Sequence, residues 1–183
     1  MSNEPSVWLG CLACYNAGRL VGEWMSPDIA ATATPEEVHA RPADRAYMER
    51  DRREGYGEHE ELWVMDHECV PLTGEFGPLE CQAIADAYDA VGADEWDAYL
   101  AYAGLGIASD PIPDADDFRE AYSGEWDSEE DYAYDLAEEL GAVPAEHSWP
   151  ASYIDWEAAT RDLFMDYSSE RSPGGGVFVF RNY

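Results

Sequence analysis

The sequence predicts an α+β fold, and three observations carry it. Short runs dense in β-branched, aromatic and sulfur-bearing residues lie near both ends, at Val7–Tyr15, Glu61–Cys69 and Val177–Phe180, and read as strands. Between them, apolar residues recur at helical spacing and are bracketed by recognisable caps. Of the 183 residues, 46% are hydrophobic and 13% aromatic, enough for a packed core in one domain or in two to three small ones.

Val7–Tyr15 (VWLGCLACY) reads as a buried strand and Arg19–Trp24 as its return, with Asn16-Ala17-Gly18 as the turn of a hairpin. Thr34 is a helix N-cap, with Pro35 in the first position and Glu36 and Glu37 in the first turn. That signal breaks near Pro42, resumes over Ala43–Arg53 and ends at Gly55 and Gly57. Glu61–Cys69 is a third strand and Pro71–Gly77 a loop. Pro78–Val91 spaces Leu79, Ile84 and Tyr88, with Ala83 and Ala87, as a helix. Ala93–Leu105 is a second helix with Trp96, Tyr99 and Leu100 to bury, and Gly106–Pro113 is a linker. Asp114–Tyr122 is a short helix that Ser123–Trp126 breaks. Ser128 opens the clearest helix, with Asp131 as its capping partner, Tyr132, Leu136 and Leu140 as its apolar stripe and Gly141 as its stop. Ile154–Tyr167 is the last helix, buried through Trp156, Leu163 and Phe164. Gly174–Gly176 is a turn before the terminal strand. The aromatics Trp96, Trp126, Tyr132, Trp156 and Phe164 read as core.

The charge is extreme: 40 acidic residues against 10 basic ones, a formal net charge of -30, and every basic residue is arginine. The excess is uneven. Residues 1–53 hold 8 acidic and 6 basic residues, 54–118 hold 17 acidic and none basic, and 119–183 hold 15 and 4. Such a field opposes compactness, repels phosphates and anionic membranes, and favours a strongly basic partner. Nucleic acid and membrane are therefore excluded as direct partners. No secretory signal opens the chain and no apolar run has spanning length, which predicts a cytoplasmic protein with reduced cysteines.

The carboxylates fall in rows. Asp131, Asp135 and Glu138 share one helix face, with Glu139 beside them and Glu125, Asp127, Glu129 and Glu130 just before. Asp110, Asp114 and Asp117 repeat the spacing, with Asp116 and Glu120 adjacent. Asp86 and Asp89 stand three apart, as do Asp94 and Asp97, with Glu95 between them. Like charges at i, i+4 cost a helix a few tenths of a kcal/mol per pair, and no lysine relieves them. Side chains so spaced stand about 6 Å apart, and duplex DNA carries about one phosphate charge per 1.7 Å of axis. Rows of this kind approximate a phosphate strand, and a groove lined with Arg and Lys would accept them. A solvated surface or a halophilic protein would show the same composition, and composition alone does not separate these readings from mimicry.

Ordered motifs separate them. Trp8–Trp24 (WLGCLACYNAGRLVGEW) resembles the opening of the ArdA antirestriction family, a strand, Tyr-Asn-x-Gly, then Leu-x-Gly-x-Trp. Glu61–Asp66 resembles its next strand. Phe118–Leu140 (FREAYSGEWDSEEDYAYDLAEEL) resembles its Phe-x-x-Ala-Tyr-x-Gly block, the most specific match. Ile154–Phe164 and Gly176–Phe180 resemble its C-terminal helix and strand. The resemblance implies an elongated protein of about three small domains, here 1–70, 71–108 and 109–183, dimerising through the last. It implies a DNA-like acidic surface that blocks the DNA-binding groove of type I restriction–modification enzymes, carriage on mobile genetic elements, and no catalytic residue or cofactor. An acidic module for some other basic DNA-binding protein is the alternative.

Sharper chemistries fail on spacing. Cys11 and Cys14 with Cys69 and Cys81 do not make a zinc knuckle, and two cysteines three apart on a strand face opposite ways, so no metal site is expected. Asp114 cannot open a calcium loop, because Arg119 stands where glycine is needed. Glu36-x-x-His39 is a single motif where a di-iron bundle needs two, and reads as chance on an exposed turn. Without lysine there is no P-loop.

Overall fold

The structure, a computed structural model, describes residues 3–143 and 151–182. The chain forms two compact units, Met1–Ala93 and Asp94–Tyr183. Each joins helices to a three-stranded antiparallel sheet, as an α+β fold requires.

The first unit is built on β1 (Ser6–Cys11), which lies between β2 (Gly22–Met25) and β3 (Leu62–Glu68). Val7, Leu9 and Cys11 alternate into the core, as the two-residue period of a strand demands. The ring of Trp8 covers Gly10 and Gly22, which stand opposite each other in the ladder. A Cβ on Gly22 would lie 2.5 Å from that ring, so the strand pair needs glycine there.

Prolines divide the unit's helices: α2 (Pro27–Thr32), α3 (Pro35–Val38), α4 (Pro42–Glu54) and α5 (Pro78–Val91) each begin on one. Proline suits a first helical position, where its missing N–H has no partner to lose, and it denies continuation to the helix before it. The Thr34–Glu37 capping box forms as expected, and Gly55 closes α4 in the left-handed region. α2 packs on α5, with Ala30 buried on α2 and Cys81, Ile84, Ala85 and Val91 buried on α5. The sequence reading had no helix at Pro27–Thr32. Leu79 was expected on the packed face of α5, yet it is 87% exposed in the first turn.

A larger correction concerns Val7–Tyr15. The strand stops at Cys11, and α1 (Leu12–Asn16) follows immediately. Cys11 is the N-cap of α1, its sulfur accepting from the Cys14 N–H at 3.5 Å. A short, wholly apolar run carries no period, so strand and helix cannot be told apart there by pattern. The expected return strand pairs with β1 all the same, in register Trp8↔Trp24.

In the second unit, β6 (Val177–Arg181) lies between β4 (Tyr122–Trp126) and β5 (Tyr167–Arg171). Around this sheet stand α6 (Trp96–Leu105), α7 (Ala115–Ala121), α8 (Glu129–Glu139) and α9 (Trp156–Leu163). The core is aromatic. Trp96 stacks on Tyr99 at 4.8 Å, Tyr99 meets the edge of Phe118, and Tyr102 lies over Phe180. Two expectations give way. Ser123–Trp126, read as a helix breaker, is most of β4, and the last helix stops at Leu163, with Tyr167 opening β5. Both strands exist through pairing with β6, which lies far along the chain from β4 and across a short turn from β5. Of the aromatics assigned to the core, Trp96 and Tyr132 are buried, while Trp126, Trp156 and Phe164 are half-buried. Leu140, assigned to the stripe of α8, is 74% exposed.

A candidate acidic docking surface

The acidic residues concentrate where helices begin. Glu95 is the N-cap of α6, with Asp94 before it and Asp97 in its first turn. Asp114 caps α7, its carboxylate accepting from the Asp116 N–H at 2.8 Å, and Asp116 and Asp117 fill the first turn. Ser128 caps α8, accepting from the Asp131 N–H at 3.1 Å, with Glu129, Glu130 and Asp131 in the first turn. The positive end of each helix dipole offsets carboxylate crowding by about 0.3–1 kcal/mol per group. The chain therefore folds despite like charges packed along it.

Of the residues singled out in the sequence, Asp97 and Glu138 are half-buried. Asp86, Asp89, Asp94, Glu95, Asp110, Asp114, Asp116, Asp117, Glu120, Glu125, Asp127, Glu129, Glu130, Asp131, Asp135 and Glu139 are exposed. Asp86 and Asp89 lie on α5, away from its packed face, and Gln82 donates to Asp86 at 2.8 Å. Several carboxylates also bind within the fold. Asp131 accepts from the Ser128 hydroxyl at 2.5 Å. Glu129 accepts from Ser169 of β5 at 2.5 Å, and Glu125 accepts from Ser172. Asp116 pairs with Arg119 at 3.1 Å.

One expected row does not exist as a helix face. Asp110 lies in a bend, Asp114 is a cap, and only Asp117 of the three is within α7. Pro111 and Pro113 keep the preceding chain from helical geometry. The row Asp131, Asp135 and Glu138 does lie within α8.

Some neighbours were not legible in sequence. Glu4 and Asp28 line one cleft of about 270 Å³ with Asp89 and Tyr88, where the α2 helix, itself unpredicted, meets α5. Burial, and then Glu4 and Asp89, push the Tyr88 hydroxyl above its ordinary pKa. Glu157 of α9 lines an open cleft of about 680 Å³ with Asp127, Glu129 and Glu130. The Tyr122 hydroxyl is held above its ordinary pKa by burial, and then by the charges of Glu125 and Glu95.

Four arginines of the first unit, Arg19, Arg50, Arg52 and Arg53, pair with local acids. Arg52 meets Glu58 at 3.2 Å and Glu36 at 3.8 Å, Arg50 meets Asp51 at 3.2 Å, and Arg19 meets Asp44 at 3.9 Å while lying over the Tyr47 ring. Chemically, the acidic faces offer clustered, fixed negative charge. Among the described residues no helix is long and apolar enough to cross a membrane.

Comparison with known proteins agrees with the motifs. No curated protein matches the chain at a meaningful level of similarity. The family model described as antirestriction protein (ArdA) matches residues 7–178, which takes in every helix described here, nearly all of the first sheet, and the second sheet as far as the start of β6. The chain therefore belongs to the ArdA family of antirestriction proteins.

Proposed function

We propose that this protein mimics duplex DNA and blocks the DNA-binding groove of type I restriction–modification enzymes. The observation that carries the reading is the set of exposed carboxylates at the N-terminal ends of α6, α7 and α8, continued along α8 by Asp135 and Glu139, with no lysine anywhere in the chain. Side chains one helical turn apart stand about 5–6 Å from each other, so the row supplies negative charge at intervals that a phosphate-binding groove can engage. Association releases counterions, as DNA binding does, and weakens as salt rises. The protein acts by occupancy, without a chemical step. Family membership supports restriction enzymes as the target class. The remaining elements of the reading are a homodimer formed through the C-terminal part of the chain and action in the cytoplasm.

The test is competition. The protein is titrated into a type I enzyme bound to labelled target duplex, at low and at moderate salt. Stoichiometric displacement of DNA that weakens with salt is the expected result. No displacement by the folded protein at any ratio would overturn the proposal and leave an acidic module for another basic partner.

A further inference from the structure

The first unit holds a group of side chains that the acidic surface does not use. Cys11, Cys14, His39 and His59 are each at most 3% exposed, and their ligand atoms all lie within 4.8 Å of one another. Three segments deliver them. Cys11 ends β1 and Cys14 lies in the first turn of α1, so the strand-to-helix junction turns both sulfurs to one side. His39 ends α3, and His59 lies between α4 and β3.

We infer that this cluster is a structural zinc site of the Cys2His2 type. Zinc bonds of about 2.3 Å to sulfur and about 2.0–2.1 Å to nitrogen place neighbouring S and N ligands about 3.5 Å apart in a tetrahedron. The observed separations are 3.4 Å for Cys11 Sγ to His59 Nδ1, 3.3 Å for Cys14 Sγ to His59 Nδ1, and 3.4 Å for Cys14 Sγ to His39 Nε2.

The second ring nitrogens are an independent observation. His39 Nδ1 lies 2.6 Å from the carbonyl oxygen of Pro35, and His59 Nε2 lies 3.5 Å from Asp51 Oδ2. A backbone carbonyl and a carboxylate are the usual partners of metal-bound histidines, because they fix the tautomer that leaves the other nitrogen's lone pair for the ion. Here they leave His39 Nε2 and His59 Nδ1 facing the sulfurs. The Cys14 N–H also donates to Cys11 Sγ, which fixes the direction of that sulfur. Binding releases the two thiol protons to solvent, and two thiolates neutralise the dication, so the buried group carries no net charge. All four positions come from protein side chains, which makes the site closed and structural rather than catalytic. It staples the β1–α1 junction to α3 and to the approach to β3, a region whose short helices bury little apolar surface.

The experiment uses the full chain, without a metal-binding tag, grown with added zinc and purified under reducing conditions without chelator. Elemental analysis is expected to find about one zinc per chain. Cobalt in its place is expected to give intense tetrahedral d–d absorption together with thiolate-to-cobalt charge transfer. Cys14→Ser and His59→Ala are expected to lose the ion and Cys69→Ser to keep it. Asp51→Asn is expected to weaken binding by roughly 10–100-fold in competition with a chromophoric chelator. Folded wild-type protein that holds no stoichiometric metal after zinc exposure would overturn the inference, as would metal retained undiminished in the Cys14 and His59 variants. If those variants do not fold, the wild-type cobalt spectrum decides. Thiolate charge transfer upholds the site, and a weak octahedral spectrum sinks it.

Discussion

Tyr99 donates its buried hydroxyl to the carbonyl oxygen of Pro113 at 2.7 Å, which ties α6 to the chain entering α7. The ring is fully buried between Trp96 and Phe118, so the hydroxyl has one direction in which to find a partner. Tyr99→Phe keeps the packing and strands the carbonyl. A loss of about 1–3 kcal/mol is expected, read as a lower urea midpoint with an unchanged m-value.

The second unit's sheet depends on a close approach at Gly176. A Cβ there would overlap the carbonyl oxygen of Trp126, which belongs to the backbone of β4 and cannot swing aside. Gly176→Ala is therefore expected to cost at least about 1–3 kcal/mol through a displaced strand pair. Amide exchange is expected to quicken along β4 and β6, while β1 and β3 keep their protection. Unchanged protection on β4 would show that the strand gives way more cheaply.

Stability is expected to fall in alkali through Tyr132. Burial first, and then the hydroxyl of Tyr167, hold its pKa at about 12 against an ordinary 10.0. The folded state thus keeps a proton that the unfolded state releases. The contribution is complete below about pH 10 and is lost as the pH rises through about 12. Tyr132→Phe is expected to flatten the fall in urea midpoint between about pH 10 and about pH 12. A slope unchanged in the variant would assign it to another tyrosine.

Distributed charge predicts shallow single-site effects. Asp131 is a poor probe, because it also caps α8 through Ser128. Asp117→Asn, Glu130→Gln, Asp135→Asn and Glu139→Gln avoid that bond. Each alone is expected to weaken competition with DNA by no more than about fivefold. Together they are expected to weaken it by about a hundredfold, if well-separated effects add, and to lessen its salt dependence. Abolition by any one of them would point to a single dominant contact instead.

Much of this architecture was legible along the chain. Thr34, Ser128, Gly55 and the prolines at Pro35 and Pro78 mark helix ends by local chemistry, which needs only neighbouring residues. The strands β4 and β5 were not legible, because Tyr122-Ser-Gly-Glu-Trp and Tyr-Ser-Ser-Glu-Arg gain their hydrogen bonds only from β6. The acidic rows were legible where they ride on one helix, as in α8. They were misread where prolines remove the helix, at Asp110.

The sequence by itself determined the charge, the absence of lysine, the capped helices and the motifs of the family, since these are properties of composition and of adjacent residues. Only the tertiary structure decided that Glu4 and Asp28 join Asp89 around one cleft, and that Cys11 and Cys14 meet His39 and His59. The physical reason is the same in both cases. Spacing along the chain fixes direction only within one regular element. Cys11 and Cys14 lie across the end of a strand, where the rule that neighbours three apart face opposite ways no longer holds. Their histidine partners arrive from separate segments, brought there by the burial of Val7, Leu9 and Val38 rather than by any local signal.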